Sequence, residues 1–152
     1  MKIEIDDREA RVVVAALRRI PRAMTRPLWA ALRESARDVA ADTRRLLRGG
    51  RGTSRPGEAP ARRSGLLARS IRTRRGRDFS YQVMTRPDAY YGRFLETGTA
   101  ERMSRRPRAR RGRIEPRPFL TKALEGRRDA IDTRIAQAMT RVIEDAGRVR
   151  LS

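Results

Sequence analysis

The sequence predicts an α+β fold (α/β in the broad sense): a small antiparallel β-sheet packed against a long N-terminal helix and a C-terminal helix, with long arginine-rich loops. Three observations carry this. Apolar residues recur at helical spacing near both ends of the chain, short alternating runs flank Gly76-Arg77-Asp78, and charge collects in Gly- and Pro-rich stretches between them. At 152 residues the chain is read as a single domain, large enough to bury about two-thirds of its unfolded surface. Only 38% of the residues are hydrophobic and 37% are charged. The core should therefore be compact, with self-association as the expected supplement to apolar burial.

Residues 1–5 alternate around Ile3 and Ile5 and suit a short strand. Asp6 or Asp7 caps a first helix over residues 8–20, with Val13, Ala16, Leu17 and Ile20 on one face and Pro21 at its end. Thr25 caps the second helix, and Pro27 falls in its first turn, where a missing amide is harmless. The inner stripe of this helix is Leu28, Leu32, Ala36, Val39, Thr43 and Leu46, with Trp29 beside it and Gly49-Gly50 as the stop. A Gly/Pro/Ser/Arg loop spans residues 49–63.

Ser64 to Ile71 then read as a turn or short helix feeding a hairpin. Ile71, Thr73 and Arg75 belong to its first strand, Phe79, Tyr81 and Val83 to its second. One hairpin face is expected to be apolar and the other basic. Asp88 is placed to cap a short helix carrying Tyr91, Phe94 and Leu95, with Gly98 as a left-handed terminator. Glu96 stands out, because a carboxylate near a helix C-terminus opposes the dipole. It calls for an arginine or free backbone amides as its partner, unless it is simply solvated. A basic loop covers residues 100–117, and Pro118 opens a last helix to about Ala146. The stripe of that helix is Leu120, Leu124, Ile131, Ile135, Ala138, Val142 and Ala146, with Gly126 marking close packing and residues 147–152 a frayed tail.

The net charge is +20, and 36 of the 38 basic residues are arginine. Residues 44–77 hold twelve arginines against Glu58 alone, and residues 102–117 hold eight against Glu115 alone. The other segments nearly balance, so the excess lies in two segments of a nearly neutral scaffold. Arginine's planar fork suits phosphate, which makes these segments candidates for a polyanion such as non-specific double-stranded DNA; acidic surfaces of a protein partner are the alternative. The candidate contacts are Arg51, Arg55, Arg62 and Arg63 in the first loop and Arg72, Arg74 and Arg75 in the hairpin. Arg105, Arg106, Arg108, Arg110, Arg111 and Arg113 complete the set in the second loop. Neither segment contains Phe, Tyr or Trp where a single strand would stack, and neither contains a recognition helix.

Cysteine and histidine are both absent, which removes disulfides, thiolate metal sites and the commonest general base. Lys2 and Lys122 are the only lysines, and neither sits in a serine-nucleophile motif. The sequence offers no metal, cofactor or small-molecule site and no membrane span. It points to a binding or building part made in the cytoplasm rather than an enzyme.

Three motifs in order carry a resemblance. They are Arg63-Ser64-Gly65-Leu66-Leu67-Ala68-Arg69-Ser70-Ile71, then Tyr91-Gly92-Arg93-Phe94-Leu95-Glu96-Thr97-Gly98-Thr99, then Pro118-Phe119-Leu120-Thr121-Lys122-Ala123-Leu124. Over roughly residues 28–146 the chain resembles the head–tail joining proteins (tail completion, tail terminator or neck connector) of long-tailed phages and gene transfer agents. The resemblance implies a homo-oligomeric ring, six-fold, in the virion at the head–tail junction. Its neighbours there would be a neck or head-closure protein and the tail-tube protein, with DNA passing through. It assigns core and interface roles to Gly65, Leu66, Ser70, Ile71, Tyr91, Phe94, Glu96, Gly98, Thr99, Pro118 and Phe119, with Glu96 open to a neighbouring subunit's arginine. The charge of +20 is high for such a part. A basic nucleic-acid-binding protein of nucleoid or ribosomal type is the alternative.

If the second loop lines a channel, replacing Arg105, Arg106, Arg108, Arg110 and Arg111 with Gln should release DNA from assembled particles. Assembly itself should survive. Failed assembly in a particle preparation would assign the loop to protein partners instead.

Overall fold

A computed structural model describes residues 14–21, 25–49, 55, 57–60, 64–100 and 112–149. The expected strand at residues 1–5, the cap at Asp6 or Asp7 and most of both basic loops lie outside the described residues. The fold is mixed α+β, with a two-stranded antiparallel sheet set against long N- and C-terminal helices. Residues 14–18 are helical, and the chain turns before Pro21. The first long helix, α1, spans Arg26–Gly49. Thr25 is buried at its start, its carbonyl accepting the Trp29 amide, and Pro27 lies in the first turn as its missing N–H permits.

The short helix α2 spans Leu66–Ser70 and runs directly into strand β1, Ile71–Arg75. Strand β2, Tyr81–Thr85, returns in a register that sets Ile71 opposite Thr85, Thr73 opposite Val83 and Arg75 opposite Tyr81. Phe79 is not in the return strand. It lies at the hairpin tip, where Asp78 and Phe79 both have positive φ, 55° and 53°. Left-handed backbone is uncommon for so bulky a residue. Here the Phe79 ring stacks on Trp29 at 5.0 Å, while Asp78 pairs with Arg18, so contacts on both sides hold the tip. The expected apolar face is also shallow. Only Ile71 of β1 is buried, and the strand is exposed from Arg72 to Arg75.

A 3-10 turn at Pro87–Ala89 precedes helix α3, Gly92–Thr97. Asp88 caps neither; it lies inside the turn and pairs with Arg86 at 3.7 Å. The expected final helix is two helices, α4 at Leu120–Glu125 and α5 at Arg128–Val149. They part at Gly126, where a Cβ would meet nothing closer than the Lys122 carbonyl at 3.4 Å. This glycine therefore marks a break rather than close packing. The Arg127 amide bonds to Leu124 O, one residue short of helical spacing, and the new helix starts from there. Residues 147–149, expected in a frayed tail, are helical.

Helix α1 is the spine of two apolar clusters. Ala40 and Leu47 pack with Leu67, Ala68, Ile71, Ala89 and Phe119; Leu28 and Ala31 pack with Leu17, Ala138 and Val142. The α1 stripe thus ends on Leu47, which is 3% exposed, and not on Leu46 at 36%. Continuing by four from Thr43 holds the same face, whereas a step of three drifts toward solvent. In α4 the break moves burial to Ala123, leaving Leu124 43% exposed.

Helix α5 runs antiparallel to α1, and a charged seam sets their register. Arg127 pairs with Asp42. Arg134 donates to Asp38 Oδ2 at 2.8 Å and to Ser35 Oγ at 3.1 Å, with Glu34 at 3.9 Å. Half-exposed pairs of this kind contribute under about 1 kcal/mol each, so they specify alignment more than they stabilise. The hydrogen bond from Arg127 is the main cause holding the Asp42 carboxyl below its usual range, and burial opposes it. A carboxyl depressed in the fold adds stability that is complete above its unfolded value of about 3.9 and fades as pH falls toward the folded value. Urea unfolding of the wild type should therefore lose stability as pH is lowered below about 4. Asp42→Asn should flatten that slope while lowering stability at neutral pH.

Candidate functional site

The two motifs that flank the second basic loop are joined by one carboxylate. Glu96, near the end of α3, is buried at 6% exposure. Its Oε2 accepts the amides of Phe119 and Leu120 at 2.9 and 3.0 Å, and its Oε1 accepts the Thr121 amide at 2.9 Å and the Thr121 hydroxyl at 2.7 Å. These are the orphan donors at the start of α4, which no local side chain caps. A charge that opposes the dipole of its own helix serves the positive end of another. With four donors from its own chain, Glu96 has no need of a neighbouring subunit's arginine. Of the two partner types the sequence left open, the amides hold it.

Around this latch the base of the loop is closed. The Arg117 amide bonds to Leu95 O at 2.7 Å. Thr99 and Ile114 form an isolated antiparallel bridge, reinforced by the Ile114 amide on Thr99 Oγ1 at 3.2 Å. Gly98 is necessary between them. Its φ of 72° with ψ of −177° lies outside the left-handed helical well that the sequence suggested, in backbone space open to glycine alone. A Cβ there would also sit 2.8 Å from Ile114 O. The first basic loop joins the same base, since the Gly57 amide bonds to Pro116 O.

The remaining motif residues differ in burial. Ser70 and Ile71 are fully buried, Ser70 donating to Leu67 O and accepting the Arg86 amide. Phe119 is fully buried, while Pro118 is half-buried. Gly65 and Leu66 open α2 and are half-buried, as are Thr99, Tyr91 and Phe94. Gly92 lets α3 settle onto α2, because a Cβ at that position would lie 2.8 Å from Leu67 Cδ1. Beside Phe94 the fold leaves an apolar groove of about 670 Å³ between α1, β2, α3 and α4. Tyr90, 70% exposed, and Leu124 help to line it.

Of the candidate contact arginines, Arg51, Arg62, Arg63, Arg105, Arg106, Arg108, Arg110 and Arg111 lie outside the described residues. Arg55, Arg72, Arg74, Arg75 and Arg113 are exposed, and Arg113 is paired with Glu115 at 3.3 Å. Arg75 spreads its guanidinium over Trp29, 3.5 Å from the ring centroid. Arg72 and Arg44 both donate to the Ile71 carbonyl, at 3.2 and 2.9 Å.

The charge of α1 is also ordered around the helix. Most of α1 falls in a stretch that is nearly neutral by count, yet its charges are sorted by face. Glu34, Asp38 and Asp42 recur every four residues on the α5 side, where Arg127 and Arg134 engage them. Arg26, Arg33, Arg37, Arg44 and Arg48 recur at spacings of seven and four on another side. At 3.6 residues per turn these five fall within about 60° of arc. The periodicity was available in the sequence; counting charge by segment averaged it away.

Comparison of the chain with family models, characterised proteins and solved structures gives no match.

Replacing Glu96 with Ala strands three amides at the start of α4, two of them in partly buried positions. The expected loss is about 3 kcal/mol of unfolding free energy, from lost capping and unsatisfied donors. Glu96→Gln should lose less, since one acceptor oxygen remains. Denaturant titration of both variants checks this order, and a loss below about 0.5 kcal/mol for Glu96→Ala would show that the latch is dispensable.

Proposed function

We propose that this protein is a structural subunit of a ring at a phage-type head–tail junction, a tail-completion, tail-terminator or neck part through which DNA passes. The observation that carries the reading is the latch. The second and third motifs of the resemblance, more than twenty residues apart, meet at Glu96 and clamp the feet of an arginine-rich loop to a rigid frame. A part built in this way presents an arginine-rich loop from a fixed base, which suits stacking between unlike neighbours. Its partners in this reading are further copies of itself, a neck or head-closure protein and the tail-tube protein.

Support for self-association comes from the apolar surface. The groove beside Phe94, rimmed by Tyr90 and Leu124, is unlike the isolated Ile143 on α5, which is 64% exposed. Unlike patches on one subunit favour head-to-tail contacts, and these close into rings when the rotation allows. The basic α1 face favours the second reading, a free nucleic-acid-binding protein. The two differ in assembly, because apolar seams persist at high salt and phosphate contacts do not.

Light scattering of the purified protein in 1 M salt should give a closed oligomer, and the protein should co-purify with particles. Leu124→Glu should leave the far-ultraviolet circular dichroism unchanged and reduce the species to a monomer. A wild type that is strictly monomeric and absent from particles would falsify the ring reading and leave the nucleic-acid binder.

A further inference from the structure

We infer that the arginine face of α1, together with hairpin strand β1, is a docking surface for the phosphate backbone of double-stranded DNA, bound without regard to sequence. The row Arg26, Arg33, Arg37, Arg44 and Arg48 extends over 22 helical steps, about 33 Å at 1.5 Å per residue, close to one turn of duplex. Four of the five are exposed; Arg44 is half-buried and directed onto Ile71 O. Among the described residues none of the five forms an ion pair, because the three acids of the helix are turned toward α5. Five like charges in a row repel one another, and no described acid lies within ion-pair distance of any of them.

The hairpin widens the row into a surface. At one end Arg26, Arg33 and Arg75 line a single open cleft floored by Trp29, and the Arg75 guanidinium lies flat on the indole. Toward the other end Arg72 and Arg44 converge on one carbonyl, so β1 stays alongside the helix. Trp29 is covered by Arg75 on the indole face and stacked with Phe79, which leaves no open ring for a base to stack on. Guanidinium groups without stacking platforms or a groove-reading helix meet a duplex through its phosphates. A long, evenly charged duplex also fits a straight row better than a protein surface does, where acids are scattered among other side chains. The inference concerns a surface present on each subunit and does not require the ring.

The test is fluorescence anisotropy of the full-length protein with a labelled 30-base-pair duplex of mixed sequence, over a series of salt concentrations. The variant R33Q/R37Q/R48Q removes three exposed arginines and spares Arg44. A charge-matched control, K122Q/R128Q/R141Q, removes three exposed cations elsewhere, none of them lining the groove or the cleft. The ridge variant should bind at least about a hundredfold more weakly near 0.1 M salt, and its log–log salt slope should be shallower by about 2.7, from 0.9 per lost phosphate contact. The control should keep the wild-type slope. Single R37Q, with a slope change of about 0.9, covers the case in which the triple variant does not fold. Equal losses in ridge and control variants would reduce the effect to net charge and overturn the inference. So would poly-glutamate displacing the duplex at equal or lower charge concentration, which would assign the ridge to acidic protein surfaces. Duplex binding through the ridge by a strict monomer would leave this inference standing while the ring reading fails.

Discussion

The arrangement of the C-terminal half depends on one carboxylate satisfying the open end of a helix. Helix α4 is only six residues long and begins without a local side-chain cap. Short helices are marginal on their own, and the amides at this start are removed from bulk water. Glu96 supplies both acceptor oxygens from α3, twenty-three residues earlier in the chain. Satisfying those donors fixes α3 against α4, which in turn places Phe119 in the cluster with Ile71 and Leu67. The loop between the two helices then needs only short ties at Thr99, Ile114 and Arg117 to close its base. A long, highly charged segment is tolerated because both of its ends are held by the frame.

Helix α1 meets a related constraint along its length. It carries an apolar stripe, a row of acids and a row of arginines, each of which must find a different environment. The apolar side faces both clusters, and the acids face α5, where Arg134 and the preceding Arg127 fix an antiparallel register. Burial supplies most of the energy here, since a fully buried Phe or Ile contributes roughly 1.5–3 kcal/mol and a half-exposed ion pair under about 1. The ion pairs choose among packings of similar apolar area. The price of that choice is that every acid of α1 is turned to one side, leaving the arginine row without an ion-pair partner among the described residues.

Much of this was legible in the residues, for identifiable reasons. The α1 boundaries followed from Thr25, Pro27 and Gly49, each acting through its own backbone chemistry. Glu96 needs a partner because helix dipoles have a sign, and amides are one of the two partner types that chemistry allows. What was not legible depended on tertiary choices. Phe79 fits a strand by alternation but sits at the hairpin tip, because Trp29 offers a ring to stack on. Leu46 and Leu47 are indistinguishable by composition, and only the helix rotation fixed by the core decides between them. The break at Gly126 was concealed because the apolar stripe continues on both sides of it. The ridge is invisible to charge summed along the chain, because its relevant coordinate is the angle around the helix.

That angle also relates the two proposed surfaces. The groove residues of α1, Leu32, Ser35, Ala36 and Val39, lie on its apolar side, whereas the arginine row is centred roughly 130° away at 100° per residue. A neighbouring subunit entering the groove would therefore meet the apolar wall of the helix and leave the arginines uncovered. Had the arginines shared the groove side, self-association would bring like charges together and depend strongly on salt. With the two apart, assembly and polyanion binding draw on different physical terms, one apolar and insensitive to salt, the other electrostatic and screened by it. Substitutions on one side of the helix should then leave the other largely unaffected, since groups separated across a helix of about 10 Å diameter contribute nearly additively. Tyr81, which lines both the groove and the Trp29 cleft, is the position where the two surfaces meet.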